Sequence, residues 1–123
     1  MRSVIVLITL LITAVGYSQQ AVFYCPKKTI KFPKTKEGDR LSWSYSIENK
    51  GSVPLEIYSA EVECTCTDVT LPSTPILPGK TAEINVSFNT IDRPFYQDRK
   101  IILKTNSKKK SEILTFKVYV IPK

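Results

Sequence analysis

Residues Val53 to Gly79 read VPLEIYSAEVECTCTDVTLPSTPILPG, and this stretch combines strand, cysteine and turn signals within 27 residues. Its first part alternates apolar and polar residues, which is the period of a strand with one buried and one wet face. The alternation slips by one position at Ser59, and one extra residue in a strand produces such a slip, so we predict a β-bulge or bend there. A Cys-x-Cys pair at Cys64 and Cys66 and a short second strand follow. The proline-rich end of the stretch is not a central strand, because proline has no N–H to donate to a sheet.

The same two-residue period recurs on both sides of this stretch, and Trp43 is the largest side chain that it turns inward. The alternating segments are 30–32, 41–48, 82–88, 101–103 and 114–120. Residues 49–52 (NKGS) are predicted as a turn and residues 105–110 as a polar hairpin tip. No window after residue 18 has a helical period. Short strands with turn signals between them predict an all-β fold, an immunoglobulin-like β-sandwich of about seven antiparallel strands.

The chain divides into three parts by composition. Arg2 supplies a positive start, a mostly apolar run extends from Val4 to Val15, and small residues precede the bond after Ser18, which is the anatomy of a secretory signal peptide. An uncleaved anchor is the alternative, but a spanning helix needs about twenty apolar residues and this run is shorter. Cys25 follows bulky residues, so a lipoprotein signal is not expected. The predicted parts are a signal peptide at 1–18, an N-terminal segment at 19–29 and the sandwich domain at 30–123.

The composition excludes several classes of function. The 123 residues include 18 Lys and Arg against 11 Asp and Glu, for a net charge of +7, and no histidine. Without histidine the chain builds neither a Ser-His-Asp nor a Cys-His nucleophile, and it lacks the commonest metal ligand. An excess of lysine could serve an anionic partner such as nucleic acid or a membrane surface. The lysines are scattered and have no interleaved aromatic residues to stack on bases, so we expect them to serve solubility and expect no nucleic-acid partner. The signal predicts export, to a periplasm or outside the cell, with no membrane span after cleavage.

Cys25, Cys64 and Cys66 are the disulfide candidates, since an exported chain meets an oxidising compartment. Residues i and i+2 of an extended strand are about 6.6 Å apart, so a Cys64–Cys66 bond requires a bend in the chain. Pairing Cys25 with either of the others avoids this strain and closes a loop of about forty residues. Alternatively Cys64 and Cys66 form a redox or metal-binding pair, because two thiolates on one face suit Cu(I). Three cysteines without histidine do not complete a structural zinc site.

Several short segments follow one another in a specific order between about Ile30 and Ile121. They are 49–51 (NKG), 54–57 (PLEI), 64–67 (CTCT), 75–79 (PILPG), 84–88 (INVSF) and 105–107 (TNS). In this order the chain resembles a bacterial family of exported immunoglobulin-like domains of unknown function, related to the ASH (Hydin-type) and major-sperm-protein domains. Thr65 stands where the family pattern Cys-Gly-Cys-Thr has glycine, and Pro33 stands where an early aromatic-x-Phe-Gly element ends in glycine. The resemblance implies a sandwich used for binding or assembly, and it brings no catalytic residues.

We therefore expect a non-catalytic, exported immunoglobulin-like module that binds a protein or a cell-envelope component and needs no cofactor. Loops at the ends of the sandwich or strand addition at an exposed edge would make the contact. The alternative, from a different class, is a thiol-based copper-binding or redox protein that uses Cys64 and Cys66. A hydrolase built on Asp92, Asp98 and Glu112 ranks third, because nothing in their spacing brings them together.

Overall fold

A computed structural model describes residues 19–123, which form an all-β sandwich, so the predicted fold class is confirmed. The alternating segments of the sequence become its long strands, with their apolar positions turned inward. The nine strands of this part of the chain are β1 (Phe23–Tyr24), β2 (Thr29–Lys31), β3 (Thr35–Lys36), β4 (Arg40–Asn49), β5 (Ile57–Val62), β6 (Thr67–Thr70), β7 (Thr81–Asn89), β8 (Phe95–Thr105) and β9 (Ser111–Ile121).

The strands form two sheets. One sheet has the order β1-β4-β7-β6, and the other has the order β2-β9-β8-β5, with β3 also paired to β9. The long strands pair antiparallel, but β2 and β3 run parallel to β9, which the prediction of about seven antiparallel strands did not include. The expected opening strand through Ile30 and Phe32 is present as β2, and Pro26 and Pro33 separate it from β1 and β3 because proline donates no hydrogen bond to a ladder. The three short N-terminal strands join both sheets, β1 the first and β2 and β3 the second.

Aromatic side chains fill the space between the sheets. Tyr45, Phe88 and Phe116 are fully buried there, and the phenol of Tyr45 donates to the carbonyl oxygen of Thr115 at 2.7 Å across the sandwich. Burial raises the pKa of Tyr45 to about 12. Trp43, expected as the largest core residue, is half-buried, and its ring packs edge-on against Phe116 at a centroid distance of 4.8 Å. The hydroxyl of Tyr45 thus joins the two sheets inside an otherwise apolar core.

Two local predictions from the sequence are confirmed. The register between β5 and β8 shifts between Ile57 and Ser59, so the β-bulge lies where the alternation slips, and Tyr58 is the extra residue. The polar tip between β8 and β9 is a tight turn, in which the N–H of Lys110 donates to the carbonyl of Ser107 at 2.9 Å. Lys110 has a positive φ of 62°, the left-handed conformation that such turns use.

The segment 19–29 is built into the sandwich. Ala21 forms a parallel bridge with Ser107, and β1 pairs with the end of β4. Ala21, Phe23 and Cys25 are buried members of the core. The predicted signal peptide at 1–18 lies outside the described residues. Between residues 19 and 123, no helix is long and apolar enough to cross a bilayer.

Candidate binding site at the edge of strand β5

Both sheets end in an open edge on the same side of the sandwich. β5 is the outermost strand of one sheet, β6 is the outermost strand of the other, and the two lie in contact. On the opposite side the edges are β1, β2 and β3, which are two or three residues long. With six residues, β5 is the longest edge strand in the described part of the chain. It contains neither the lysine nor the proline with which proteins commonly protect an edge from pairing with another chain.

A groove of about 330 Å³ lies beside the start of β5, lined by residues 55–58 and 72–76. Leu55 and Ile76 are buried at its floor. The N–H of Leu55 donates to the carbonyl of Ile76 at 2.8 Å, and the N–H of Ile76 donates back to Leu55 at 2.9 Å. Ile76 therefore forms an antiparallel bridge with Leu55, just before the start of β5. Beyond that point β5 has no strand on its outer side within the described residues.

The wall of the groove is an aromatic side chain that the bulge turns outward. Tyr58, the extra residue of the bulge, is 62% exposed and lines the groove opposite the proline-rich loop. Asn106 holds the wall in place from the β8 side. Its side-chain oxygen accepts from the N–H of Glu56 at 2.9 Å, and its amide donates to the carbonyl of Pro54 at 3.0 Å. The groove is thus formed before any ligand arrives, which lowers the entropy cost of binding.

The edge carries negative charge although the protein as a whole is basic. Residues 53–79 contain three glutamates and one aspartate and neither lysine nor arginine. Asp68 is paired with Arg40 at 2.9 Å, whereas the glutamates of the edge are exposed and form no ion pair with the described residues. Glu63 additionally accepts the backbone N–H of Lys100 at 3.1 Å, which fixes its carboxylate where β5 ends. The edge is therefore an acidic stretch on a basic protein, with Lys100 and Lys104 of β8 beside it.

The turn from β5 to β6 contains a disulfide between Cys64 and Cys66, whose Cα atoms are 5.2 Å apart. The bend that this pairing requires is present, because the N–H of Thr67 donates to the carbonyl of Cys64 at 3.3 Å. The carbonyl of Cys66 accepts from the N–H of Asn89 at 2.9 Å, which attaches the turn to β7. The disulfide thus stiffens the crossover from one sheet to the other, directly beside the open edge.

Cys25 is free and buried, and it does not form the pairing with Cys64 or Cys66 that the sequence left open. It follows β1, whereas the other two cysteines precede β6, and these strands lie at opposite edges of the same sheet. Burial raises the pKa of the Cys25 thiol, so the thiol stays protonated and unreactive near neutral pH.

The described residues do not group three or more His, Cys, Asp or Glu side chains around a possible metal ion. The Cys64–Cys66 pair is a disulfide, and a disulfide has no thiolate with which to bind Cu(I). The alternative of a thiol-based copper or redox protein therefore finds no support at this turn.

The three carboxylates of the hydrolase hypothesis are not brought together. Asp98 pairs with Lys117 at 3.7 Å on the outer face of its sheet. Glu112 is buried at the other end of β9 and pairs with Lys28 at 3.2 Å, and Asp92 lies in the loop before β8.

Sequence reasoning also missed the groove beside Tyr58. The period slip at Ser59 was the signal for it, since a bulge turns one side chain out of register.

Comparison with known proteins finds several solved structures with a similar fold. A protein of unknown function from Porphyromonas gingivalis W83 is 15% identical with a TM-score of 0.74, over 89% of this chain and 51% of that one. The ASH/PapD-like domain 7 of human CEP192 is 12% identical with a TM-score of 0.63, over 92% and 94% of the two chains. The chaperone YadV is 13% identical with a TM-score of 0.55, over 81% and 51%. The chain thus spans about half the length of the Porphyromonas protein, and no curated protein matches its sequence.

These likenesses, together with N-terminal strands that join both sheets, show an immunoglobulin-like sandwich fold similar to that of the ASH and PapD-like domains. The resemblance drawn from the sequence is confirmed. The chain belongs to the family described as Protein of unknown function (DUF1573), whose profile matches residues 23–120. The match begins at β1, so the family pattern includes the N-terminal strand.

Proposed function

We propose that this protein is a non-catalytic binding module that captures an extended segment of an exported partner protein by strand addition along β5. The observation that carries the proposal is the unpaired outer edge of Ile57–Val62 beside a preformed groove. In strand addition, backbone hydrogen bonds provide affinity and pockets for alternate side chains provide specificity. That one similar structure is a chaperone and another an ASH domain agrees with a binding role for the fold.

The charge and shape of the site define the segment that it accepts. Glu56, Glu61 and Glu63 surround the edge, so lysine or arginine in the segment is favoured. The groove beside Tyr58 has an apolar floor and accepts one apolar side chain. We therefore infer an extended partner segment in which apolar and basic residues alternate. The partner and the protein meet in the exported compartment that the N-terminal sequence predicts.

The proposal is tested with a synthetic peptide of alternating isoleucine and lysine, titrated into isotope-labelled protein and followed by NMR. We expect the amide signals of 57–62 to shift and their hydrogen exchange to slow, because the peptide pairs with that edge. The matched control is the same peptide with alternate backbone nitrogens methylated, which keeps the side chains but removes the donors. Losing two backbone hydrogen bonds at about 0.5–1.5 kcal/mol each weakens binding about 5- to 150-fold.

Two results would reject the proposal. One is equal affinity for the methylated and unmethylated peptides, since binding would then use side chains alone. The other is a set of shifts confined to β2 and β3, which would place the docking edge on the opposite side. The variant Tyr58→Ala adds a test of the groove, because it removes the wall without altering the backbone edge. We expect it to weaken binding while leaving the melting temperature unchanged, since Tyr58 is 62% exposed.

A further inference from the structure

Five exposed lysines gather at one end of the sandwich, which we call the lysine end. They are Lys50, Lys80, Lys108, Lys109 and Lys110. Hydrogen bonds place their three loops side by side: the N–H of Lys50 donates to the carbonyl of Val22 at 3.0 Å, and the N–H of Asn49 donates to the carbonyl of Lys80 at 3.0 Å. The hairpin tip joins them through the bridge between Ala21 and Ser107.

Few carboxylates offset the charge of the lysine end. Glu112 is buried beneath it and already paired with Lys28 at 3.2 Å. Glu48 at the end of β4 is half-buried and Glu56 is exposed, so two carboxylates face five lysines there. The positive field of this end is therefore stronger than the average over the chain.

Exposed apolar side chains lie among these lysines. Val22 is 42% exposed, Tyr24 is 40% exposed and Leu77 is 55% exposed. The ammonium of Lys50 lies 3.6 Å from the centroid of the Tyr24 ring, so charged and apolar side chains are direct neighbours on this surface. Lysines with aliphatic and aromatic neighbours are typical of surfaces that rest on the headgroup region of a bilayer.

The lysine end is rigid and is also where the N-terminal part of the chain enters. The side chain of Asn49 ties its loops together, donating to the carbonyls of Val53 and Ile76 at 2.7 and 2.8 Å. The carbonyl of Gln20 accepts from the N–H of Ser52 at 2.8 Å, so the chain reaches the domain at this end. The apolar run Val4–Val15 precedes that point in the sequence.

We propose that the lysine end docks on the surface of a bilayer that contains anionic lipids. Anionic headgroups complement the five lysines, and the acyl boundary accepts Val22 and Leu77, which a soluble polyanion would leave in water. Each lysine near such a surface contributes about fivefold in affinity, and added salt weakens this contribution by screening. The lysine end adjoins the groove at Glu56, but its lysines, Val22 and Leu77 lie outside β5 and outside the lining of the groove, so the inference does not depend on the proposed function.

The test measures sedimentation of the full chain with phosphatidylcholine vesicles, with and without phosphatidylglycerol. The triple variant Lys108→Gln, Lys109→Gln, Lys110→Gln removes three charges from the lysine end. We expect it to bind the mixed vesicles about 100-fold more weakly than the parent chain, as the product of three fivefold contributions. The matched control is K31Q/K100Q/K104Q, which removes the same charge from the outer face of the β2-β9-β8-β5 sheet. We expect about threefold weakening or less from it, since that face points away from the bilayer.

Three outcomes would overturn the proposal. Equal losses in the two triple variants would mean that only net charge matters. Equal binding to vesicles with and without phosphatidylglycerol would mean that apolar contacts alone carry the chain to lipid, without the lysines. Finally, the variant Leu77→Ser separates a bilayer from a soluble polyanion. We expect it to weaken vesicle binding and leave binding to polyglutamate unchanged, and the opposite pattern would favour an acidic protein partner.

Discussion

Asn49 is the residue whose replacement should damage this fold most. Its side chain is fully buried at the end of β4, and its amide donates to the carbonyls of Val53 and Ile76. Its side-chain oxygen accepts from the N–H groups of Val22 and Gly51, at 3.3 and 2.9 Å. Asn49→Ala removes all four bonds. A buried polar group left unpaired costs about 1–3 kcal/mol, and some of these groups regain water, so we expect a loss of about 3–5 kcal/mol in unfolding free energy.

Urea unfolding followed by tryptophan fluorescence measures this loss, because Trp43 is the single tryptophan of the chain. A loss of this size lowers the melting temperature by roughly 15–30 °C in a domain of this length. Asn85→Ala is the matched control. It removes an exposed asparagine from the outer face of β7, and we expect it to change stability by less than about 0.5 kcal/mol. If Asn49→Ala cost no more than the control, the four bonds would not hold the lysine end together.

Three further predictions concern other contacts of the fold. Gly51→Ala drives a Cβ into the carbonyl oxygen of Gln20 and to 2.6 Å from the backbone nitrogen of Val22, so the backbone must shift and we expect about 1–3 kcal/mol of destabilisation by thermal unfolding. No destabilisation would mean that the N-terminal segment moves freely. Burial holds the pKa of Tyr45 at about 12 against about 10 in the unfolded chain. Between these two pH values the phenol keeps its proton in the folded state and loses it in the unfolded state. About 2–3 kcal/mol of stability should therefore be present below pH ~10 and lost as the pH rises to about 12, and urea titrations of Tyr45→Phe should lack this decline. The small loop closed by Cys64 and Cys66 predicts a loss of only about 1–2 kcal/mol in the double serine variant, and a loss as large as that of Asn49→Ala would contradict this entropy argument.

The strands and the bulge could be predicted because they follow from local periodicity. β4, β7 and β9 each alternate without interruption, so their inward faces were evident. The bulge at Ser59 was predictable for the same reason, since a slip of one residue reverses every later side chain. The sequence reasoning placed the turn after β4 correctly but assigned Asn49 to it for its backbone conformation. Asn49 in fact continues the inward parity of the strand, and that parity was the signal for its burial.

The N-terminal strands were less predictable because their partners are distant in sequence. β2 has three residues and pairs with Thr115 to Lys117, and such a short segment has no period of its own. The open edge was equally hidden, since whether a strand lies at an edge depends on the order of all strands in the sheet. The same holds for the lysine end, whose loops are separated by the length of the domain. Local chemistry predicted the elements, and only the fold could show which of them meet.

The two sides of the sandwich differ in how their edges are treated. On one side, prolines break the first strand into short pieces that cover both sheets and leave little backbone free. On the other side, β5 keeps a longer unpaired edge with Glu61 in the strand and Glu56 and Glu63 just outside it, and it has no protective lysine. An open edge is a hazard for aggregation unless it has a use. The disulfide turn holds that edge in a fixed position, and the loop at Ile76 pairs with Leu55, two residues before β5 begins. This asymmetry is the strongest physical reason to propose the β5 edge as the binding surface of the protein.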